Sequence, residues 1–468
     1  MERWLGPALA YIPSWLEFQV RQSQQPGCLV AVVHRGKLVL EAAFGSANLV
    51  TGQPLTPRHR FRIASHSKTF TATAILKLRE QKKLKLDDEV GTFVPGLHRK
   101  VASATLAQLL SHGAGLVRDG ADGGQFAGTR PFYTEAELLE DFAKPPIIDA
   151  GLRMKYSNHG FGLLGMVIRA VTGETYNKWI DREVIQPAGL TETRPDMPLP
   201  RGTPLAKGHS TLLPLGRRVI FPGTECTNGL ASATGFVSTA ADTALFFNQL
   251  APAARKSVIS PASRREMARP IWRNPHAALE TYYGLGTMNG VSGGWPYFGH
   301  GGGFLGYISR TVTLPQQELT VSVFTNAVDG WAPLWLDGVL SILRTYAKNG
   351  PPTRRVAGWT GRWWSTWGAN DLLPMGNKVL VAAPGWANPF LEPSEIAVTG
   401  RDSGRITQAA GYASHGEEVR RLRSPGGRVI EVRMGGSRGR SEARVAAELE
   451  RLYDPPTTRT RKRKKRAT

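Results

Sequence analysis

The chain has 468 residues, 41% of them hydrophobic and 21% charged, with 52 glycines and 32 prolines. That balance excludes a wholly disordered chain and is long enough for one large core and a smaller one. The formal charge is +22, of which seven basic side chains fall in the last ten residues (Arg459, Arg461, Lys462, Arg463, Lys464, Lys465 and Arg466), and the rest of the chain is basic too at 22 − 7 = +15.

Such a block of like charge reads as a solvated tail, with contact to a polyanion as its functional reading. No aromatic residue interleaves it, which argues against stacking on single-stranded nucleic acid. Cys28 and Cys226 lie far apart with no C-x-x-C spacing, so neither a disulfide framework nor a zinc site is indicated.

At the N-terminus an apolar stretch at residues 4–16 contains two prolines and is preceded by Glu2 beside Arg3. It makes a poor signal peptide and is too short to span a bilayer, so a cytoplasmic protein with no transmembrane segment is expected. Residues 29–33 and 38–43 flank His34-Arg35-Gly36-Lys37 and predict two strands joined by a tight turn. Residues 65–82 predict a helix, with Phe70, Ala74, Ile75 and Leu78 at helical spacing. The middle of the chain, to about residue 260, reads as helices and long loops, clearest as helix at 160–172 and 175–185. Strand character returns from about 282; 307–314 and 319–325 alternate around Pro315-Gln316-Gln317-Glu318, and a helix is expected at 333–346.

The simplest architecture is α+β: an antiparallel sheet built from both ends of residues 1–346, flanked by helices, with an all-helical insertion. Residues 347–356, around Asn349-Gly350-Pro351-Pro352, predict a linker. Residues 357–456 are short apolar runs broken by Gly, Pro and Asn, with Trp359, Trp363, Trp364 and Trp367 bunched at the start. They predict a small all-β, barrel-like domain, followed by a basic disordered tail at 457–468.

Three segments carry candidate chemistry. In Ser65-His66-Ser67-Lys68, three residues make about one helical turn, so Ser65 and Lys68 share a face at a helix N-terminus. A lysine amine kept neutral by burial could take the serine proton. S-x-x-K alone recurs by chance about once in a chain this long. Tyr156-Ser157-Asn158 precedes the 160–172 helix, and a phenol can relay a proton while an amide holds a substrate carbonyl. His300-Gly301-Gly302-Gly303 opens a strand where a ligand backbone could lie close. An N–H from Gly303 with that of Ser65 would form a two-donor oxyanion hole.

The order and context of these segments resemble the serine β-lactamase, DD-peptidase and D-aminopeptidase superfamily. The matching stretches are FRIASHSKTFTA around Ser65, ATLAQLLSHGAGL at 104–116, YSNHGFGLLG at 156–165, GFVSTAAD at 235–242 and YFGHGGGFLGY at 297–307. The resemblance implies that Ser65 is the acylated nucleophile, Lys68 its base, Tyr156 the proton relay and Asn158 a contact to the substrate amide, with Gly302 and Gly303 lining the substrate strand. It also implies that no metal or organic cofactor is used. His300 stands where many members carry the lysine of K-T-G. An unperturbed histidine is mostly neutral at pH 7, so the fixed grip on a substrate carboxylate is expected to weaken. H-x-G members include D-aminopeptidases, D-peptidases and esterases, so the expected substrate is a small ester, amide or short peptide. β-Lactamase or D-Ala-D-Ala carboxypeptidase activity, and a non-catalytic binding role, are the alternatives.

Other patterns resolve differently. Gly160-Phe161-Gly162-Leu163-Leu164-Gly165 fits G-x-G-x-x-G but lacks a preceding strand and a βαβ unit, so it reads as close helix packing. There is no H-E-x-x-H, and His112 reads as ordering a loop rather than binding metal.

Overall fold

The computed structural model describes residues 2–213, 215–277, 279–410 and 414–454. The basic run at 459–466 and the expected tail at 457–468 lie outside the described residues. Two compact units form, one of Leu9–Leu340 and one built on the chain from Ser341 onward together with Glu2–Ala8.

In the first unit, six strands carry most of a nine-stranded antiparallel sheet: β1 (Gly27–His34), β2 (Lys37–Asn48), β3 (Met288–Ser292), β4 (Trp295–Phe304), β5 (Tyr307–Leu314) and β6 (Leu319–Thr325). The order is Gln53–Pro54, β2, β1, β6, β5, β4, β3, Thr281–Tyr283, Trp272–Arg273, so strands from both ends of the unit meet where β1 pairs with β6. Every residue of β1 is buried, which explains why its sequence runs apolar instead of alternating. The Ala240–Gln249 helix packs against β1 and β6.

The helix α1 (Ser67–Glu80) is buried on nearly all sides, the pattern of a core helix rather than a surface one. It packs on α2 (Asn158–Thr172) and on the π turn at Ala231–Gly235. Its buried threonines are each satisfied: Thr69 donates to the Gly286 carbonyl at 2.7 Å, Thr71 to the Ser232 carbonyl at 2.7 Å and Thr73 to the Thr69 carbonyl at 2.8 Å. Phe70 stacks between Phe236 and Phe246 at centroid distances of 4.4 and 3.7 Å.

The structure departs from the sequence expectations at several ends. The helix expected at 65–82 starts as a 3₁₀ turn at Ala64–His66, and regular helix begins only at Ser67, because Ala64 holds a left-handed φ of 48°. The 175–185 helix is α only at Tyr176–Ile180 and widens into a π turn at Asp181–Ile185. The middle is not purely helical: Phe61–Arg62 pairs with Val237–Ser238, and Gly208–His209 with Ile220–Phe221. The helix Ala332–Asn349 enters the stretch expected as linker and stops where Gly350 takes a φ of 77°, a left-handed stop signal.

In the second unit, eight antiparallel strands between Gly361 and Gly439 follow one another in chain order. Trp364 and Arg440 exchange both backbone hydrogen bonds, at 2.7 and 2.8 Å, which ties the first strand to the end of the last and nearly closes a barrel. The region is not all β: Glu442–Tyr453 is a helix, as its Ala, Glu, Leu and Arg content favours. Among the described residues no helix is long and apolar enough to cross a membrane.

Replacing Phe70 with Ala is expected to destabilise the first unit by about 3–5 kcal/mol, the cost of a large-to-small change in a closed aromatic stack. Urea unfolding midpoints of the two proteins measure it.

Candidate active site

Ser65 sits at the centre of a pinned turn. The Ile63 amide donates to the Phe236 carbonyl at 3.0 Å, and the Ser67 hydroxyl donates to the Ala64 carbonyl at 2.5 Å while accepting from the Phe236 amide at 3.0 Å. His66 Nδ1 donates to the Ile63 carbonyl at 2.9 Å and Nε2 lies 3.0 Å from the Thr311 hydroxyl. These bonds hold Ala64 in a conformation that non-glycine residues seldom adopt. Burial pushes His66 down to about 4, so the ring is neutral and serves as a strut.

One turn into the helix, the Lys68 side chain is fully buried. Its Nζ lies 3.2 Å from Ser65 Oγ, 2.6 Å from Asn158 Oδ1 and 2.8 Å from the Ala233 carbonyl. The π turn at Ala231–Gly235 leaves that carbonyl free to face the lysine. Burial holds the amine well below the ordinary lysine range; the Asp119 carboxylate opposes that shift and Arg118 adds to it. Tyr156 donates to Ser65 Oγ at 2.8 Å, and burial raises its phenol so that it keeps its proton. Ser157 caps α2 by accepting from the Gly160 amide at 2.8 Å, which sets Asn158 at the helix start. Asn158 Nδ2 donates to Asp119 Oδ1 at 2.5 Å, and this fixes its oxygen toward Lys68.

The third wall is the outer edge of β4. Pairing with β3 ends at Gly299, so residues beyond it carry no strand on that side. Phe304 and Tyr307 close a two-residue hairpin, which makes Gly303–Ile308 a non-hydrogen-bonded pair and turns the Gly303 N–H away from β5. Gly303 therefore faces the Ser65 cavity.

Two residues of this strand make their contacts behind the cavity wall. A Cβ on Gly302 would stand 2.1 Å from the Ile63 carbonyl, so this glycine lets β4 press on the Ser65 turn and does not wall the cavity. His300 is likewise absent from the wall. Its Nδ1 donates to the Gly301 carbonyl at 2.7 Å, its Nε2 lies 3.0 Å from the Tyr283 hydroxyl, and burial with neighbouring positive groups holds it well below its ordinary value. With both nitrogens engaged, it is placed to brace the strand and not to touch the reacting atoms. Arg310 stands opposite Gly301 in register, a cation near this strand that the sequence reading did not identify.

Ser65, Tyr156, Asn158 and Gly303 line one cavity of about 450 Å³ with Arg118, Asp119, Gly123, Phe126 and Thr234, and Lys68 lies beneath it. Arg118 and Asp119 form an ion pair at 3.0 Å on its rim. Sequence reasoning missed both; their only signal is position, two residues beyond the 104–116 stretch. His112 stacks on Tyr156 at 4.1 Å and accepts from the Ser157 amide at 3.2 Å, the loop-ordering role expected of it. Gly162 and Gly165 let α2 approach the 229–232 segment, where a Cβ on Gly165 would meet the Ser232 hydroxyl at 2.6 Å. Among the described residues no cluster of three or more His, Cys, Asp or Glu is placed to hold a metal ion.

The sequence pattern of the family described as Beta-lactamase matches residues 14–334. Protein flp of Staphylococcus aureus strain MRSA252 is 28% identical over 193 residues, 39% of this chain and 37% of that protein, so the chain matches well under half of that relative. The octameric penicillin-binding protein homologue from Pyrococcus abyssi superposes with a TM-score of 0.65 at 23% identity, over 92% of this chain and 99% of that one, a likeness of fold. A D-stereospecific amidohydrolase from a Streptomyces species superposes with a TM-score of 0.57 at 25% identity, over 68% of this chain and 94% of that one.

The buried histidines make stability acid-sensitive in a defined window. The native pKa of His66, about 4, lies below the unfolded value of about 6.5, so its contribution is complete above pH 6.5 and is lost as pH falls toward 4. In His66→Gln, which cannot protonate, the stability difference from wild type should narrow by about 3 kcal/mol between pH 7 and pH 4. Urea titrations at several pH values in that range test this; a constant difference would contradict a neutral buried His66.

Proposed function

Because the chain belongs to the beta-lactamase family, we propose that it is a serine hydrolase that works through an acyl-enzyme on Ser65 and acts on uncharged esters or D-amino-acyl amides. The observation that carries this reading is the set of partners around Lys68. Asn158 Oδ1 and the Ala233 carbonyl can only accept, so a neutral amine spends both N–H groups on them and aims its lone pair at Ser65 Oγ. The Ser65 hydroxyl donates to that lone pair while accepting from Tyr156.

In the proposed reaction the substrate carbonyl oxygen lies between the N–H groups of Ser65 and Gly303. Ser65 Oγ attacks the carbonyl carbon as its proton moves to Lys68 Nζ. The tetrahedral intermediate collapses when Tyr156 gives its proton to the leaving oxygen or nitrogen and recovers one from Lys68, which leaves an ester on Ser65. Water then attacks that ester and the proton transfers run in reverse.

Substrate charge follows from the wall. Arg118 is matched by Asp119, burial depresses the Lys68 amine, and His300 is held well below its ordinary value and buried away from the cavity. The cavity thus offers little net grip for a carboxylate, and the likeness to a D-stereospecific amidohydrolase supports an amide among the substrates. A second reading, β-lactam or D-Ala-D-Ala cleavage, draws on the two arginines, Arg118 on the rim and Arg310 opposite Gly301.

Ser65→Ala should abolish both p-nitrophenyl acetate turnover and covalent capture by a fluorophosphonate; unchanged labelling would rule out this nucleophile. Lys68→Ala should lower kcat/KM by about 10²–10⁴-fold. In the wild type the acid limb of the kcat/KM profile should fall well below the ordinary lysine range, because the base works when deprotonated and burial depresses it. Assayed side by side, short-chain esters and D-alanine p-nitroanilide should be turned over faster than nitrocefin, and the reverse order would favour the second reading.

A further inference from the structure

A second cavity, of about 560 Å³, lies immediately beyond the first. Neighbouring residues of the same two segments line the two cavities. Gly123 and Phe126 line the Ser65 cavity while Gln125 and Gly128–Phe132 line the second, and along β4 Gly303 lines the first while Phe304 and Leu305 line the second. The volume is in the range of a small-molecule site.

Pro131, Phe132, Phe221, Phe304 and Leu305 give it an apolar wall, set against polar groups that include Arg130 and Glu225. Phe304 forms a rigid part of it. The ring stacks on Phe132 at 5.7 Å and 12°, and the Arg62 guanidinium lies 4.3 Å from its centroid. Arg62 is fully buried and is itself held by the Glu225 carbonyl at 3.0 Å and Asp196 at 3.7 Å. A fixed cation behind the ring holds it in place.

The direction of the substrate follows from where the proton comes from. A leaving group must reach Tyr156, so it departs on the Tyr156 side of Ser65. The acyl substituent is then directed along the β4 edge past Gly303, where the chain continues into Phe304 and Leu305.

We propose that this second cavity is the acyl-chain subsite and takes the medium-length aliphatic or aromatic portion of the acyl group of the compound that Ser65 attacks. The inference rests on the reading of Ser65 as nucleophile. It assigns the choice of substrate to residues outside the Ser65 cavity.

The native thiols supply a reporter, since Cys226 is exposed on the cavity wall and Cys28 is buried. With p-nitrophenyl acetate, butyrate and hexanoate, wild-type kcat/KM should rise about fourfold per methylene, roughly 10²-fold over the series. Cys226→Phe and Thr129→Phe, two independent ways of filling the cavity, should keep acetate turnover within about twofold of wild type and lose the rise. A flat wild-type series, or a rise that survives in both filled variants, would overturn the proposal. Binding is read without turnover in Ser65→Ala, where octanamide should slow alkylation of Cys226 by N-ethylmaleimide and acetamide should not. No protection by octanamide would also overturn it. Protection in the absence of any Ser65-dependent turnover would instead sink the nucleophile reading and leave the cavity's ligand class standing.

Discussion

The burial of one lysine amine organises the first unit. An ammonium out of water is costly unless its donors are matched, and a neutral amine needs fewer partners than a charged one. Lys68 meets two fixed acceptors and one hydroxyl, with no open water shell around it. Each acceptor depends on a separate piece of the fold. The Ala233 carbonyl is free because the chain takes a π turn there, and Asn158 presents its oxygen because Asp119 takes its N–H. The helix that carries Lys68 is itself buried, packed by a stack of phenylalanines and by threonines that return their hydroxyls to backbone carbonyls.

A second constraint is backbone strain at Ala64. The chain turns sharply ahead of Ser65, and the turn is held from four directions, by Phe236, Ser67, His66 and the close approach of Gly302. Such strain persists only where the surroundings over-determine it. That division of labour explains why two residues of the His300–Gly303 segment are structural. Gly302 makes room for the Ile63 carbonyl and His300 is tied to Tyr283 and Gly301, while Gly303 alone turns its N–H toward the serine.

The electrostatics of the cavity follow from pairing rather than from composition. The chain is strongly basic as a whole, yet around Ser65 the rim Arg118 is matched by a carboxylate and burial depresses the Lys68 amine. Long-range charge governs encounter and solubility, whereas the grip on a bound group depends on the few partners within hydrogen-bonding reach.

The sequence by itself determined the elements with a strong local signal. Periodicity located α1 and the β5–β6 hairpin, turn chemistry placed the β1–β2 hairpin, and texture separated the barrel from the larger unit. Spacing alone brought Ser65 within reach of Lys68, because three residues of helix put two side chains on one face. Tyr156, Asn158 and Gly303 were legible through motif order and family resemblance, not through spacing. Tertiary structure decided what no local pattern encodes: that Asp119, beyond any recognised motif, orients Asn158; that a carbonyl from a π turn completes the lysine's partners; and that His300 lies behind the strand with both nitrogens engaged. The physical reason is that hydrogen-bond satisfaction and burial are set by residues far apart in sequence, 165 positions for Lys68 and Ala233, and only the folded chain brings them together.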